Sequence, residues 1–219
     1  MGFIQLLESA VRSGDQMRVL SIAATLLILL LICFPVHEFA HAWTATKLGD
    51  DTARLQGRLT LNPIKHLDVV GTLMMMFLGL GWAKPVPVNP MNLRGNYRTS
   101  MAIVALAGPV SNFLLAVLFG LIFRVLGLAP DAPAWLQQVC VLAVFINLSL
   151  MLFNLIPIPP LDGSKILWAY LPPQMDGVFA FISQYGFLIL FGLSYLIPTL
   201  FSSLISRPST LMAQILLGY

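Results

Sequence analysis

The chain has 219 residues, of which 58% are hydrophobic and only 10% charged, against about 25% charged in a soluble domain of average composition. Its 12 basic and 9 acidic groups are too few to coat a water-facing surface of this size, which excludes a soluble enzyme and a disordered chain. The net charge of +3 and the pI near 9.1 come with no basic stripe, so nucleic acid is excluded as a partner, and a mean hydropathy of +0.87 reads as an integral membrane protein.

Residues 1–18 mix polar and apolar positions. Phe3, Ile4, Leu7 and Val11 recur at helical spacing, which reads either as an amphipathic surface helix or as a frayed tail. An apolar run then starts at Val19 and enters the segment PVHEFAHAW. No basic region precedes it and it outlasts a signal-peptide core, so a retained spanning helix is expected over 19–48. Three later runs, 101–128, 134–156 and 178–201, are long enough for a hydrocarbon core of ~30 Å. A fifth, 69–82, is short and typical of a re-entrant segment. The stretch AKPVPVNPMN after it alternates proline with apolar residues, so it is at most an edge strand or a loop. The expected fold is an all-α integral membrane protein, a bundle of about four to six transmembrane helices. A re-entrant, partly β, membrane-associated loop over 49–100 joins the first two core helices.

The charges give the orientation. Lys47, Arg54, Arg58, Lys65, Lys84, Arg94, Arg98 and Lys165 fall on one side of a four-crossing topology. Arg12, Arg18, Arg124 and Arg207 fall on the other, and the short loop around Asp131 has no basic residue. The positive-inside rule assigns the richer side to the cytoplasm. Cys33 and Cys140 both lie in apolar runs and imply packing, with no disulfide framework. Met74, Met75 and Met76 read as adaptable apolar filler.

Chemistry concentrates at His37-Glu38-Phe39-Ala40-His41. Positions i and i+4 share a helix face, so both imidazoles reach one cation, and Glu38 lies between them without being a ligand. Ionisable groups inside an apolar helix are costly unless paired, and there they mark function. Zinc in a catalytic site takes a third protein ligand and keeps a position open to water. Glu8 and Asp15 lie at the wrong end of the first span, while Asp50 and Asp51 trail the ligand helix and are expected to point into solvent. Asp162 is the best third ligand, because Pro157, Pro159 and Pro160 in NLIPIPPLDG break the helix ahead of it and aim a carboxylate inward. A cap on the next helix is the plainer reading of Asp162. His66, in LNPIKHLD, is the other third-ligand candidate, or else a residue beside the active site.

HEFAH in the first span, AGPVSNFLLA over 107–116 and NLIPIPPLDG over 154–163 together resemble the site-2 proteases, the intramembrane zinc metalloproteases. LNPIKHLD and GWAKPVPVNP look like the compact bacterial subgroup without a PDZ domain, although Val69 follows HLD where that subgroup often has proline. The resemblance covers about 19–170. It implies one zinc ion per chain on His37, His41 and Asp162, with Glu38 as general base toward a zinc-activated water. It further implies Asn154 as a holder of substrate backbone, Asn112 as the asparagine of the AGPxxN helix, and Gly108 as the point of close helix approach. Residues 1–18 would be a surface segment, 19–170 the catalytic membrane core and 171–219 a C-terminal transmembrane helix and tail. The core divides into the ligand helix 19–48, the loop 49–100, helix 101–128 and helix 134–156 with the LDG segment 157–170.

The implied reaction is hydrolysis of a peptide bond in or near a transmembrane segment of a membrane protein. It would take place in the bacterial cytoplasmic membrane, with the active site toward the cytoplasm. The partners would be the substrate, unwound at the site, and the lipid bilayer, with room for a homo-oligomer. An extended edge over 84–89 would pair with the substrate, and Gly79 and Gly81 would be mobile parts. A divalent-metal transporter or a non-proteolytic membrane scaffold would use the same residues. A transporter, however, spreads polar groups along a path, and a scaffold has no need of a base beside the metal.

Overall fold

The computed structural model describes residues 3–78, 81–127 and 133–218. Position 79 and the expected short loop around Asp131 lie outside these residues. Helix α1 (Phe3–Arg12) comes first. Among the described residues, four helices are long and apolar enough to cross a membrane: α2 (Gln16–Lys47), α4 (Tyr97–Gly127), α5 (Ala134–Asn154) and a span over Pro173–Leu196. In the last of these, α7 (Asp176–Leu196) follows a short 3₁₀ turn. Between α2 and α4 runs the shorter apolar helix α3 (Val69–Leu78). The chain is an all-α membrane protein, as expected from its composition and apolar runs.

Helix α2 changes pitch just before its histidines. Residues Leu29–Cys33 form a π turn, in which the Phe34 N–H reaches back to the Leu29 carbonyl. Pro35 sits immediately after it, in the first turn of the resumed α-helix. Proline has no N–H to donate and its ring crowds the carbonyl four residues back, so a locally wider turn suits this point. Such turns re-aim a helix face and recur at functional sites. Beyond it, Pro35, His37, Glu38, His41, Ala42 and Ala45 are all buried.

Helix α4 is the centre of the bundle and packs against α2, α5 and α6 (Asp162–Tyr170). Ile28 and Cys33 of α2 meet Ala143 and Ile146 of α5 in one apolar cluster, so Cys33 is a packing residue. Ala45, Leu93 and Val104 form a second cluster that joins α2 and the loop to α4. Ile156, Leu161 and Leu190 form a third, which seats α7 on the turn after α5. The C-terminal tail is more ordered than its composition suggests, because Arg207–Leu217 forms helix α8. Its Ala213 and Leu217 complete a cluster with Ala116, Val144 and Leu148. Arg124 donates to the Ile215 and Leu216 carbonyls at 2.5 and 2.7 Å, satisfying acceptors that a helix C-terminus leaves open.

The loop over 49–96 departs from the expected partly β form. Among the described residues it contains one isolated antiparallel bridge, Leu67 with Ala83, and no strand. The prolines at 85, 87 and 90 remove every second or third donor, and helix side chains supply the missing partners instead. Asp50, expected to point into solvent, is fully buried. Its carboxylate accepts from Thr52 N–H (3.1 Å), Thr52 Oγ1 (2.5 Å), Asn89 N–H (2.7 Å) and Asn92 Nδ2 (3.0 Å). This carboxylate, together with the Arg94 N–H on the Leu48 carbonyl at 2.8 Å, closes the loop on the end of α2.

Burial pushes the Asp50 carboxyl up, but the hydrogen bonds from Thr52, Asn89 and Asn92 outweigh it and hold the group below the ordinary carboxylate range. A carboxyl depressed in the folded state adds stability above its unfolded value of about 4, and this is lost as pH falls through the lower folded value. Replacement by alanine would leave donors from Thr52, Asn89 and Asn92 unpaired. Asp50→Ala is expected to cost about 2–4 kcal/mol in thermal unfolding. The protection of the Asn89 amide, taken relative to its intrinsic exchange rate, should fall in the wild type as pH drops below about 4, with no such step in the variant.

Candidate metal centre

Three side chains from two distant parts of the chain converge. His37 Nε2 and His41 Nε2 are 3.0 Å apart, and Asp162 Oδ2 lies 3.1 Å from each. His37, His41 and Asp162 are the residues whose ligand atoms could hold one metal ion among the described residues, and all three are buried. Zinc–nitrogen and zinc–oxygen bonds of about 2.0–2.1 Å give a tetrahedral edge of about 3.3 Å. The observed triangle is within a few tenths of an ångström of one tetrahedral face. Asp162 Oδ2 is buried and receives no hydrogen bond among the described residues. A carboxylate oxygen aimed at two imidazole nitrogens, with no donor to satisfy it, suits a cation.

The second ring nitrogen of each histidine is occupied. His41 Nδ1 lies 2.7 Å from the Val104 carbonyl oxygen, and His37 Nδ1 lies 2.6 Å from Asn112 Oδ1. Both partners are acceptors, so each Nδ1 carries the proton and each Nε2 lone pair faces the centre. Pro109, inside α4, gives no N–H to the Ala105 carbonyl one turn back. Ser111 Oγ takes up the Gly108 carbonyl at 2.7 Å.

Gly108 sets how close α4 can come. A Cβ there would lie 2.4 Å from His41 Nε2 and 2.6 Å from His37 Nε2, inside the space a metal would fill. Asp162 is delivered from the other side. The prolines at 157, 159 and 160 end α5 in tight turns, and α6 begins at Asp162 itself. Gly163 permits this turn, since a Cβ there would sit 2.2 Å from the Leu155 carbonyl oxygen. Lys165 Nζ, one turn on, donates to Asp162 Oδ1 at 3.1 Å. One carboxylate oxygen is thereby held by Lys165, and the other is left for the centre.

Glu38 is buried beside the triangle, and its Oε2 accepts the Val86 N–H at 3.0 Å. The extended segment carrying Val86 is itself fixed, because Arg58 donates to the Lys84 and Pro85 carbonyls at 2.5 and 3.2 Å. Burial lowers the Arg58 guanidinium from its ordinary value, and the Glu38 carboxylate opposes that shift. A cavity of about 560 Å³ opens from the ligands and Glu38 between this segment and α7. Its wall includes Trp82 against Phe187, with ring centroids 4.6 Å apart.

The other residues singled out in the sequence fall in different places. Asn154 lines the cavity and donates to the Leu150 carbonyl at 3.0 Å. Asn112 is fully buried against His37. His66 is also fully buried but lies outside the ligand triangle, with Nε2 on the Thr60 carbonyl at 2.7 Å. It is held within its own loop, and its main-chain carbonyl accepts the Lys84 N–H at 2.7 Å. Arg58, Lys165 and the Val104 carbonyl had no signal in the sequence, because each acts through a contact between distant segments. Asn147, whose Oδ1 accepts from Asn112 at 3.2 Å, had one: an amide inside an apolar span needs a partner.

The Gly108 contact is directly testable. Gly108→Ala should weaken zinc binding by at least about a hundredfold, the upper range for losing ligand geometry, as read by competition with a chelating dye. Helix content should stay at the wild-type level, because alanine suits a helix better than glycine.

Comparison with known proteins gives the family. The family model described as Peptidase family M50 matches residues 25–129 and 127–193. The chain is 43% identical over 175 residues to a protein of Bacillus subtilis (strain 168) named "Putative zinc metalloprotease YwhC", covering 78% of this chain and 80% of that one. Rip2 of Mycolicibacterium smegmatis, named in the same way, is 33% identical over 187 residues, 81% of this chain and 70% of its own. Rip2 of Mycobacterium tuberculosis (strain H37Rv) is 32% identical over 197 residues, 86% and 74% respectively. No solved structure matches the chain. With a family model covering most of its length and relatives that bear the zinc metalloprotease name, this chain belongs to peptidase family M50, the site-2 proteases, and is a metalloendopeptidase with zinc as its cofactor.

Proposed function

We propose that this zinc metalloprotease cuts its substrate within the membrane, at a peptide bond in or beside a transmembrane segment of another protein. The observation that carries the reading is that the site residues sit within the long apolar helices. His37, Glu38 and His41 lie inside the span Gln16–Lys47, and Asn112 and Gly108 lie inside the span Tyr97–Gly127. The cavity beside them is mainly apolar. A soluble peptide would find few partners on such a wall, whereas a transmembrane segment brings apolar side chains of its own.

His37, His41 and Asp162 hold the zinc in this reading, and bound zinc supplies Lewis acidity that makes water a nucleophile near neutral pH and polarises a carbonyl. Glu38 does the proton work. Its Oε2 is held by the Val86 N–H at 3.0 Å, which leaves Oε1 to take a proton from the attacking water and return it to the leaving amine. The segment over 84–89 keeps the reacting chain extended: Arg58 and Asp50 grip its backbone from behind, and Val86 and Val88 line the cavity. Asn154, on the same cavity, offers an amide to the substrate backbone. A substrate helix satisfies its own amides and must unwind before these groups can engage it. The basic bias of the 44–100 segment supports an active site on the cytoplasmic side of a bacterial inner membrane.

The decisive variant is Glu38→Gln. In lipid nanodiscs it should retain one zinc per chain while cleavage falls by about 10²–10⁴-fold. In cells it should accumulate membrane-bound substrate stubs that the wild type removes, a difference that quantitative membrane proteomics reads. A Glu38→Gln enzyme that cleaves as fast as the wild type refutes this role for the carboxylate.

A further inference from the structure

The His37 ligand depends on a buried amide. Asn112 presents Oδ1 to His37 Nδ1 at 2.6 Å. Turned about its last bond, the same side chain would present its NH₂ group. His37 would then have to accept at Nδ1 and carry its proton on Nε2, the nitrogen that faces the centre, where it would exclude a cation. Nothing in Asn112 itself selects between these two orientations.

Asn147 selects. Asn112 Nδ2 donates to Asn147 Oδ1 at 3.2 Å, and Asn147 Nδ2 donates to the Ala143 carbonyl at 2.8 Å. Both asparagines are fully buried, so no water competes for these groups. A backbone carbonyl can only accept. Asn147 must therefore turn its NH₂ toward Ala143 and its oxygen toward Asn112, Asn112 must turn its oxygen toward His37, and His37 must protonate Nδ1. The sense of all three bonds follows from one carbonyl of α5. His41 reaches the same state in one step through the Val104 carbonyl.

We propose that Asn147 is a positioning residue for the metal centre, acting through Asn112 to hold His37 in the tautomer that binds the ion. Asn147 touches neither a ligand nor the cavity. Partners beyond the ligands commonly change metal affinity by about 10–100-fold, and that is the range expected here. The proposal rests on His37 being a zinc ligand.

The test measures zinc dissociation constants for detergent-solubilised full-length chains, together with the unfolding temperature of each metal-free form. Asn147→Leu should weaken zinc binding by about 10–100-fold at an apo unfolding temperature close to wild type. Asn112→Asp supplies an acceptor to His37 in either orientation, so in that background Asn147→Leu should change zinc affinity by less than about twofold, the relay no longer being needed. An equal loss in both backgrounds would show a merely structural role and overturn the proposal, as would a single variant that binds zinc like the wild type. Should Asn147→Leu not fold, Asn147→Ala is read in the same two backgrounds against the same outcomes. His37→Ala separates the two levels of the argument: if it keeps wild-type zinc affinity, the ligand assignment falls with the relay. If it loses zinc while Asn147→Leu does not, the relay alone falls.

Discussion

Polar groups buried among apolar helices must satisfy one another, because neither lipid nor packed side chains offer a hydrogen bond. At the centre of this protein, two imidazoles and a carboxylate converge on one point from 3.0–3.1 Å, an arrangement that suits a cation between them. Everything around the point serves that arrangement. The Val104 carbonyl and Asn112 turn the rings, Lys165 takes the spare carboxylate oxygen, and Gly108 withholds the side chain that would occupy the space.

The same requirement explains the loop between α2 and α4. Proline-rich extended backbone packed against helices cannot pair with itself, so its groups are shared out among side chains of the surrounding elements. Arg58 takes the Lys84 and Pro85 carbonyls, Glu38 takes the Val86 N–H, and Asp50 takes the Asn89 N–H. Glu38 therefore has two duties, since it faces the cavity and also ties the loop to the ligand helix. The bond from Val86 fixes the orientation of the carboxylate beside the ligand triangle, and a fixed orientation is what the proposed proton transfer would draw on.

The last span is attached differently. Its N-terminal end is tied by Asp176, which pairs with Arg98 and accepts Trp168 Nε1 at 2.9 Å. Further along, Gly186 lets it come against the Pro159 carbonyl, where a Cβ would be 2.4 Å away. Its residues Phe187, Leu190 and Phe191 line the cavity, but only a small share of its apolar stretch is buried. One face thus closes the site, and the other is left for lipid.

Local physics made part of this protein readable from its sequence. The four long apolar runs required spanning helices, the i, i+4 spacing required His37 and His41 to share a face, and the prolines before Asp162 required a break in the helix there. Each rests on periodicity or backbone stereochemistry within a few residues. Contacts between distant segments had no such signature. Asp50 looks like a solvent-facing residue at a helix end until Asn89 and Asn92 fold over it, and Arg58 like an ordinary loop charge until it reaches the carbonyls of 84 and 85. The tail beyond 201 is too polar to read as another span, yet forms a helix because α4 and α5 offer it a groove. His66 and Asp162 were rival ligands in the sequence, and only the fold separates them, by pairing His66 with Thr60 and carrying Asp162 across α4. Sequence determined which residue types enter the membrane. Tertiary structure decided which of them meet, because at that depth a polar atom's partner is whatever the packing brings within about 3 Å.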